Sequence, residues 1–281
     1  MMHFRLHHQW YCFLFICLVS GCLIPLKEPV AVAVQLPHAH DFRRGNLIFH
    51  SDADISKNHP LFLELASFPE QVCRALELPV TDKLIHVYLF KDRISYEQYI
   101  HFEFKDLPSR RALFVKRPGS SRLDQDQLQV LCFWGDRIQD DLRHELTHAT
   151  LHAILHDLPL WLDEGLAMYF EPGIAAQGIN TRVLNALEPS ITAVTMKYDF
   201  PRLESLKEVS QMSMADYQEV WAWVHYLMHS SPLRRSMLTG YLKERLKAGA
   251  PSTSFNLSNE TTQLQLHLKQ LLAERSNWPH G

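Results

Sequence analysis

Two histidines four residues apart flank a glutamate in the run His144-Glu145-Leu146-Thr147-His148, and no other stretch of the 281-residue chain restricts its folding as much. In an α-helix, positions i and i+4 lie one turn apart on the same face, so both rings can offer nitrogens to one ion with Glu145 beside it. Ile138, Leu142, Ala149 and Ala153 form an apolar stripe at helical spacing next to that face, and the two alanines let a neighbour approach closely. The pattern asks for a buried helix over 138–156 and a third ligand from elsewhere in the chain.

A histidine six residues past His148, with a glycine midway, is the metzincin arrangement. Ile154 and Leu151 occupy those positions and exclude it. His152 and His156 continue the i+4 series, but His152 lies about 12 Å from His144 along the helix axis at about 1.5 Å per residue, too far to share the ion. Both are expected to be ordinary histidines on the helix surface. The next helix, over 159–171, carries Pro159-Leu160-Trp161-Leu162-Asp163-Glu164-Gly165-Leu166-Ala167. Glu164 is a carboxylate in an otherwise apolar run, costly to bury unless it is paired or metal-bound. Gly165 removes a side chain where helices and an ion must crowd together. Two imidazoles and one carboxylate leave the fourth zinc position to water, the open arrangement of catalytic rather than structural sites.

The two motifs together, His144 to His148 and Trp161 to Ala167, resemble the gluzincin metallopeptidases, the peptidase-MA-like group that includes the aminopeptidase N family. In those relatives a further glutamate lies seven residues past the glutamate ligand, and the matching residue here is Glu171. Their transition-state tyrosine opens a helix with a leucine ten positions on, a spacing shared by Tyr217 and Leu227. The resemblance implies a zincin-like fold with His144, His148 and Glu164 holding Zn2+, Glu145 as general base and Tyr217 as oxyanion donor. His225 competes with Tyr217 for that last role. Glu171 or Asp163 can hold a ligand histidine's second nitrogen from the outer shell, with a solvated surface charge as the equal alternative for each. Trp221 and Trp223 are assigned to the core. The Gly-Ala-Met-Glu-Asn segment that anchors a free amine in aminopeptidase N relatives is missing, so exo- and endopeptidase action both stay open. The strand 127–133 is expected to be a sheet edge to which a peptide or protein substrate adds as another strand, with a covered interior strand as the alternative.

Two function classes follow. One is a zinc-dependent peptidase. The other is a non-catalytic, lipid-anchored binding or assembly protein that keeps the fold. Glu145 favours the first, because a non-catalytic zinc site has no use for a carboxylate between its ligands.

Elsewhere the chain is ordinary. It is 46% hydrophobic and 21% charged, which excludes disordered and multi-span membrane classes. With 28 Lys+Arg against 31 Asp+Glu there is no basic stripe to hold a polyanion, so nucleic acid is not an expected partner. Arg5 and the amino terminus precede an uncharged apolar run, 10–19, too short for the roughly 20 residues of a membrane span. That pattern is a secretion signal. Leu18-Val19-Ser20-Gly21-Cys22 resembles the lipobox of bacterial lipoproteins, which implies cleavage before Cys22, its acylation, and a location in the bacterial cell envelope, in the periplasm or at the outer membrane. A plain cleaved signal with a chance cysteine is the alternative. Of five cysteines, Cys73 and Cys132 then remain, as a disulfide or as two buried thiols.

The expected organisation is a signal peptide over 1–21, a lipidated tether over 22–45, a strand-rich part of the peptidase domain over 46–135, a helical metal-binding part over 136–249, and a C-terminal tail with a helix over 250–281. Within it, 61–78 is a kinked helix or two short ones, 84–90 a strand, 93–103 a helix, and 112–116 with 127–133 a long-looped hairpin. Further helices are expected over 215–229, 232–247 and 260–274. Strands first and helices afterwards give an α+β class, a small mixed-sheet lobe and a helical lobe with the metal site between them. The oligomeric state is left open.

Overall fold

Gly45 makes the first turn. It adopts φ +60° and Asn46 does not, so the two-residue loop is of type II′, the form that suits a tight hairpin. The hairpin joins β1 (His40–Arg44) to β2 (Leu47–Ser51), with Arg44 facing Leu47 and His40 facing Ser51. The computed structural model describes residues 35–105, 107–119, 126–249, 255 and 257–278. The expected secretion signal and the expected lipidation site Cys22 lie outside these residues. The sheet thus begins at His40, inside the stretch read as tether, because the strand is polar and only its pairing with β2 reveals it.

Two short helices, α1 (Pro60–Leu65) and α2 (Phe68–Ala75), lead to β3 (Ile85–Phe90), which pairs parallel with β2. Pro69 stands in the first turn of α2, where a missing N–H costs nothing, so the segment splits rather than kinks. After α3 (Arg93–Glu103) come β4 (Ala112–Arg117) and β5 (Gln127–Phe133), paired antiparallel as expected of a hairpin. β5 also pairs parallel with β3, so the order is β1-β2-β3-β5-β4. This corrects the expectation for 127–133: β5 is interior, and β4 is the edge. Leu128 to Phe133 is buried throughout, with Leu128, Val130 and Cys132 in the main core and Leu131 and Phe133 packed with α3 residues Tyr96 and Tyr99. A strand apolar on both faces has to be covered on both.

The rest is helical: α4 (Ile138–Ile154), α5 (Leu160–Phe170), α6 (Thr181–Ala193), α7 (Phe200–Ser205), α8 (Met214–His229), α9 (Pro232–Glu244) and α10 (Thr261–Ala273). The described residues are therefore a mixed α/β structure with a five-stranded sheet and ten α-helices. α4 packs on β4, β5 and α5, while α5 packs along α8. At Gly165 a Cβ would stand 2.6 Å from Val224 Cγ2 and 2.8 Å from the Val220 carbonyl oxygen, so the close approach anticipated there is with α8. Trp221 and Trp223 are fully buried. α10 is not a tail: Leu264 and Leu268 are in the core, and the helix packs on α6 and α8. Cys73 and Cys132 are separate buried thiols. No helix among the described residues is long and apolar enough to cross a membrane.

Gly165→Ala pushes a methyl group into the Val220 backbone and should cost about 1–3 kcal/mol of unfolding free energy, measured by urea titration; an unchanged midpoint contradicts the close packing of α5 on α8.

The α8–α10 contact carries a second expectation. His225 Nδ1 lies 2.9 Å from His267 Nε2, and the His225 and His229 rings stack with centroids 4.5 Å apart. Burial, then the neighbouring His229, lowers His267 to about 4, with Glu274 opposing. A folded value below the unfolded one means the unfolded chain takes up the proton first. The contribution is complete above about pH 6.5 and is lost as pH falls toward about 4, by at most about 3 kcal/mol. Unfolding free energy should therefore fall more steeply over that window in the parent than in His267→Gln. Parallel curves contradict this.

Candidate metal centre

α4 delivers His144, Glu145 and His148 from one face, and the two hydroxyls buried in its middle are satisfied within the helix. Thr147 donates to the Arg143 carbonyl at 2.8 Å and Thr150 to the Leu146 carbonyl at 2.6 Å. Pro159, extended at φ −61° and ψ 142°, sets the start of α5 immediately before Leu160, which brings Asp163 and Glu164 onto the side facing α4.

The three expected ligands converge. His144 Nε2 is 3.3 Å from His148 Nε2, and Glu164 Oε2 is 3.7 Å and 3.8 Å from these two nitrogens. All three atoms lie within 4.8 Å of one another, and among the described residues this is the group able to hold a metal ion. Ligand atoms about 2.0–2.1 Å from one ion at tetrahedral angles stand about 3.3–3.4 Å apart. The histidine pair matches that spacing, and the carboxylate is a few tenths of an ångström wider. His148 and Glu164 are each 6% exposed, so the donor set is largely shut off from solvent.

The outer contacts fix which ring nitrogens face the centre. His148 Nδ1 is 2.9 Å from Asp163 Oδ1, and His144 Nδ1 is 3.3 Å from Glu171 Oε2. A carboxylate only accepts, so each Nδ1 donates and each Nε2 presents a lone pair. Sequence reasoning offered Glu171 or Asp163 for this task; both perform it, one per histidine. Asp163 Oδ2 also engages His152 Nε2 at 2.9 Å, and the Phe114 ring stacks on His148 and His152. His152 is thus part of the support of the site rather than a free surface residue. His156 is exposed beyond the end of α4.

The electrostatics carry the same message. Burial pulls His148 down, but Asp163 and Glu164 outweigh it and raise the ring to about 9. Burial likewise opposes His144, and Glu164 and Glu171 raise it well above the ordinary histidine value. Three acidic groups therefore favour positive charge at the place where the lone pairs meet. Glu171 stays ionised despite burial because His144, Arg182 and Arg137 surround it. Burial raises Glu145, and Glu164 adds to that effect while both histidines oppose it. A carboxylate raised in this way is a better proton acceptor near neutral pH.

Glu145, the three ligands and Tyr217 of α8 line one cleft of about 660 Å³, whose wall includes the edge strand β4 from Ala112 to Phe114. Burial, followed by the charge of Glu164, raises the Tyr217 hydroxyl, so it remains a hydrogen-bond donor. His225 does not reach this cleft. It is buried against His267 on the α10 side, which removes it as a rival to Tyr217. Sequence reasoning missed Arg110, which also lines the cleft; its only signal is its place just before a β-rich run. Comparison with protein-family models and with curated proteins finds no match.

Asp163→Asn keeps the shape at His148 but removes the charge that orients the ring. Zinc affinity, measured by competition with a chromophoric chelator, should fall roughly 10- to 100-fold; an unchanged affinity contradicts the role given to Asp163.

Proposed function

We propose that the protein is a zinc-dependent peptidase of the gluzincin type with a zincin-like fold. The observation that carries this is the meeting of His144 Nε2, His148 Nε2 and Glu164 Oε2 in a cleft that Glu145 and Tyr217 also line. Borderline nitrogen and oxygen donors, three in number, suit Zn2+ with one position left open. β4 is the edge strand along the same cleft among the described residues, a place where an extended peptide can add through its backbone.

His144, His148 and Glu164 would hold a zinc ion, which would supply Lewis acidity toward water and a carbonyl. The rest falls to the chain. Glu145 takes the proton of the attacking water on its carboxylate and returns it to the leaving amine. The Tyr217 hydroxyl donates to the carbonyl oxygen as negative charge develops there. Asp163 and Glu171 keep both imidazoles in the ligating tautomer through the cycle. Export by the leader and attachment through Cys22 at a bacterial membrane surface belong to the same proposal, with peptides or proteins of the cell envelope as substrates.

Glu145→Gln should bind as much zinc as the parent and unfold at the same urea concentration while losing about 10²–10⁴-fold in hydrolysis of a mixed peptide library. Mass spectrometry of the parent's fragments separates end-trimming from internal cutting. Equal hydrolysis by Glu145→Gln, or none by the zinc-loaded parent, contradicts the peptidase assignment and leaves the non-catalytic binding protein.

A further inference from the structure

The cleft is lined by four arginines, and three are already matched. Arg111 bonds Asp136 at 2.8 Å and Asp141 at 2.9 Å; Arg137 bonds Glu171 at 3.1 Å; Arg182 bonds Glu171 as well. Arg110 differs. No carboxylate among the described residues forms an ion pair with it, and its Nε is buried without a hydrogen-bond acceptor. An orphaned donor of this kind costs about 1–3 kcal/mol, so a native chain keeps one where something else supplies the acceptor.

Position and charge say what that acceptor is. Arg110 precedes the edge strand β4 in the wall of the cleft, and its field reaches both Glu145 and Tyr217. The lining holds five carboxylates against the four guanidinium groups. A divalent ion at the metal centre would offset the carboxylates that face it, and among the described residues Arg110 is the cleft arginine without an acidic partner. A neutral carbonyl can be served by the backbone of β4, whereas a planar, permanently charged fork is matched by a carboxylate, which it binds through two parallel hydrogen bonds.

We infer that Arg110 selects substrate: its guanidinium receives a carboxylate of the bound peptide, so the cleft prefers acidic peptides, or peptides ending in a free carboxylate, over neutral ones. This rests on the peptidase proposal, and it concerns binding rather than turnover. Arg110 sits outside the metal ligand set, and among the described residues it is the arginine of the cleft that no carboxylate holds.

The test uses the zinc-loaded full chain carrying Glu145→Gln, which holds peptide without cutting it, and three fluorescent peptides of one sequence followed by anisotropy. The first is neutral with an amidated C-terminus, the second has the free carboxylate, and the third is amidated with a central glutamate. At least one carboxylate peptide should bind about tenfold or more tighter than the neutral one, and which of the two does so tells a chain terminus from a side chain. Adding Arg110→Gln should erase the difference, and Arg110→Lys, which keeps the charge but not the fork, should restore part of it. Similar binding of all three peptides, no binding of any, or a preference that survives Arg110→Gln overturns the inference. Hydrolysis by the parent is scored separately, so a chain that cuts peptides without this preference loses only the role of Arg110, and one that shows the preference without cutting loses only the peptidase assignment.

Discussion

Three electron-pair donors aimed at one another set the terms for everything around them. Nε2 of His144, Nε2 of His148 and an oxygen of Glu164 approach within 3.3 to 3.8 Å in a largely buried place. Two lone pairs and an anion at that spacing repel unless a cation lies between them, and low dielectric sharpens the penalty. Holding them there takes two helices in fixed register. The bare side chain of Gly165 lets α5 sink onto α8, and α4 is pinned between the sheet and α5.

The outer layer answers the same problem from behind. Asp163 and Glu171 each accept from the far nitrogen of one of these histidines, and arginines 137 and 182 in turn neutralise Glu171. Negative charge is thus delivered to the backs of the rings while the Nε2 lone pairs stay free to bind. Asp163 is shared with His152, so the turn of α4 just beyond His148 is tied into the same network, with Phe114 of the edge strand laid over the His148 and His152 rings. The wall of the cleft and the support of the candidate metal group meet at that phenylalanine.

What could be read from the sequence was local in origin. The i, i+4 pair and a carboxylate stranded in an apolar run each announce themselves within a few residues, and the structure brings His144, His148, Glu164, Glu145 and Tyr217 to one cleft. Non-local facts were harder. Whether β5 or β4 forms the edge depends on where β3 docks, and the even burial of Leu128 to Phe133 was the clue that β5 is covered on both faces. β1 is polar and shows itself only through its partner. α6 was missed because it contains Pro189 and several β-branched residues, and it is held instead by the Asn180 cap and by packing against α10. That His225 faces His267 rather than the metal centre, and that among the described residues Arg110 is the cleft arginine without an acidic partner, are properties of the assembled chain.

Zinc K-edge X-ray absorption on the metal-loaded protein tests the central claim most directly. The ligand set described here gives about four nitrogen or oxygen neighbours at about 2.0–2.1 Å, two of them with the outer scattering of imidazole. A sulfur neighbour at about 2.3 Å, which would place the ion at Cys73 or Cys132, or a shell with more than two imidazoles, which would place it among His225, His229 and His267, contradicts it.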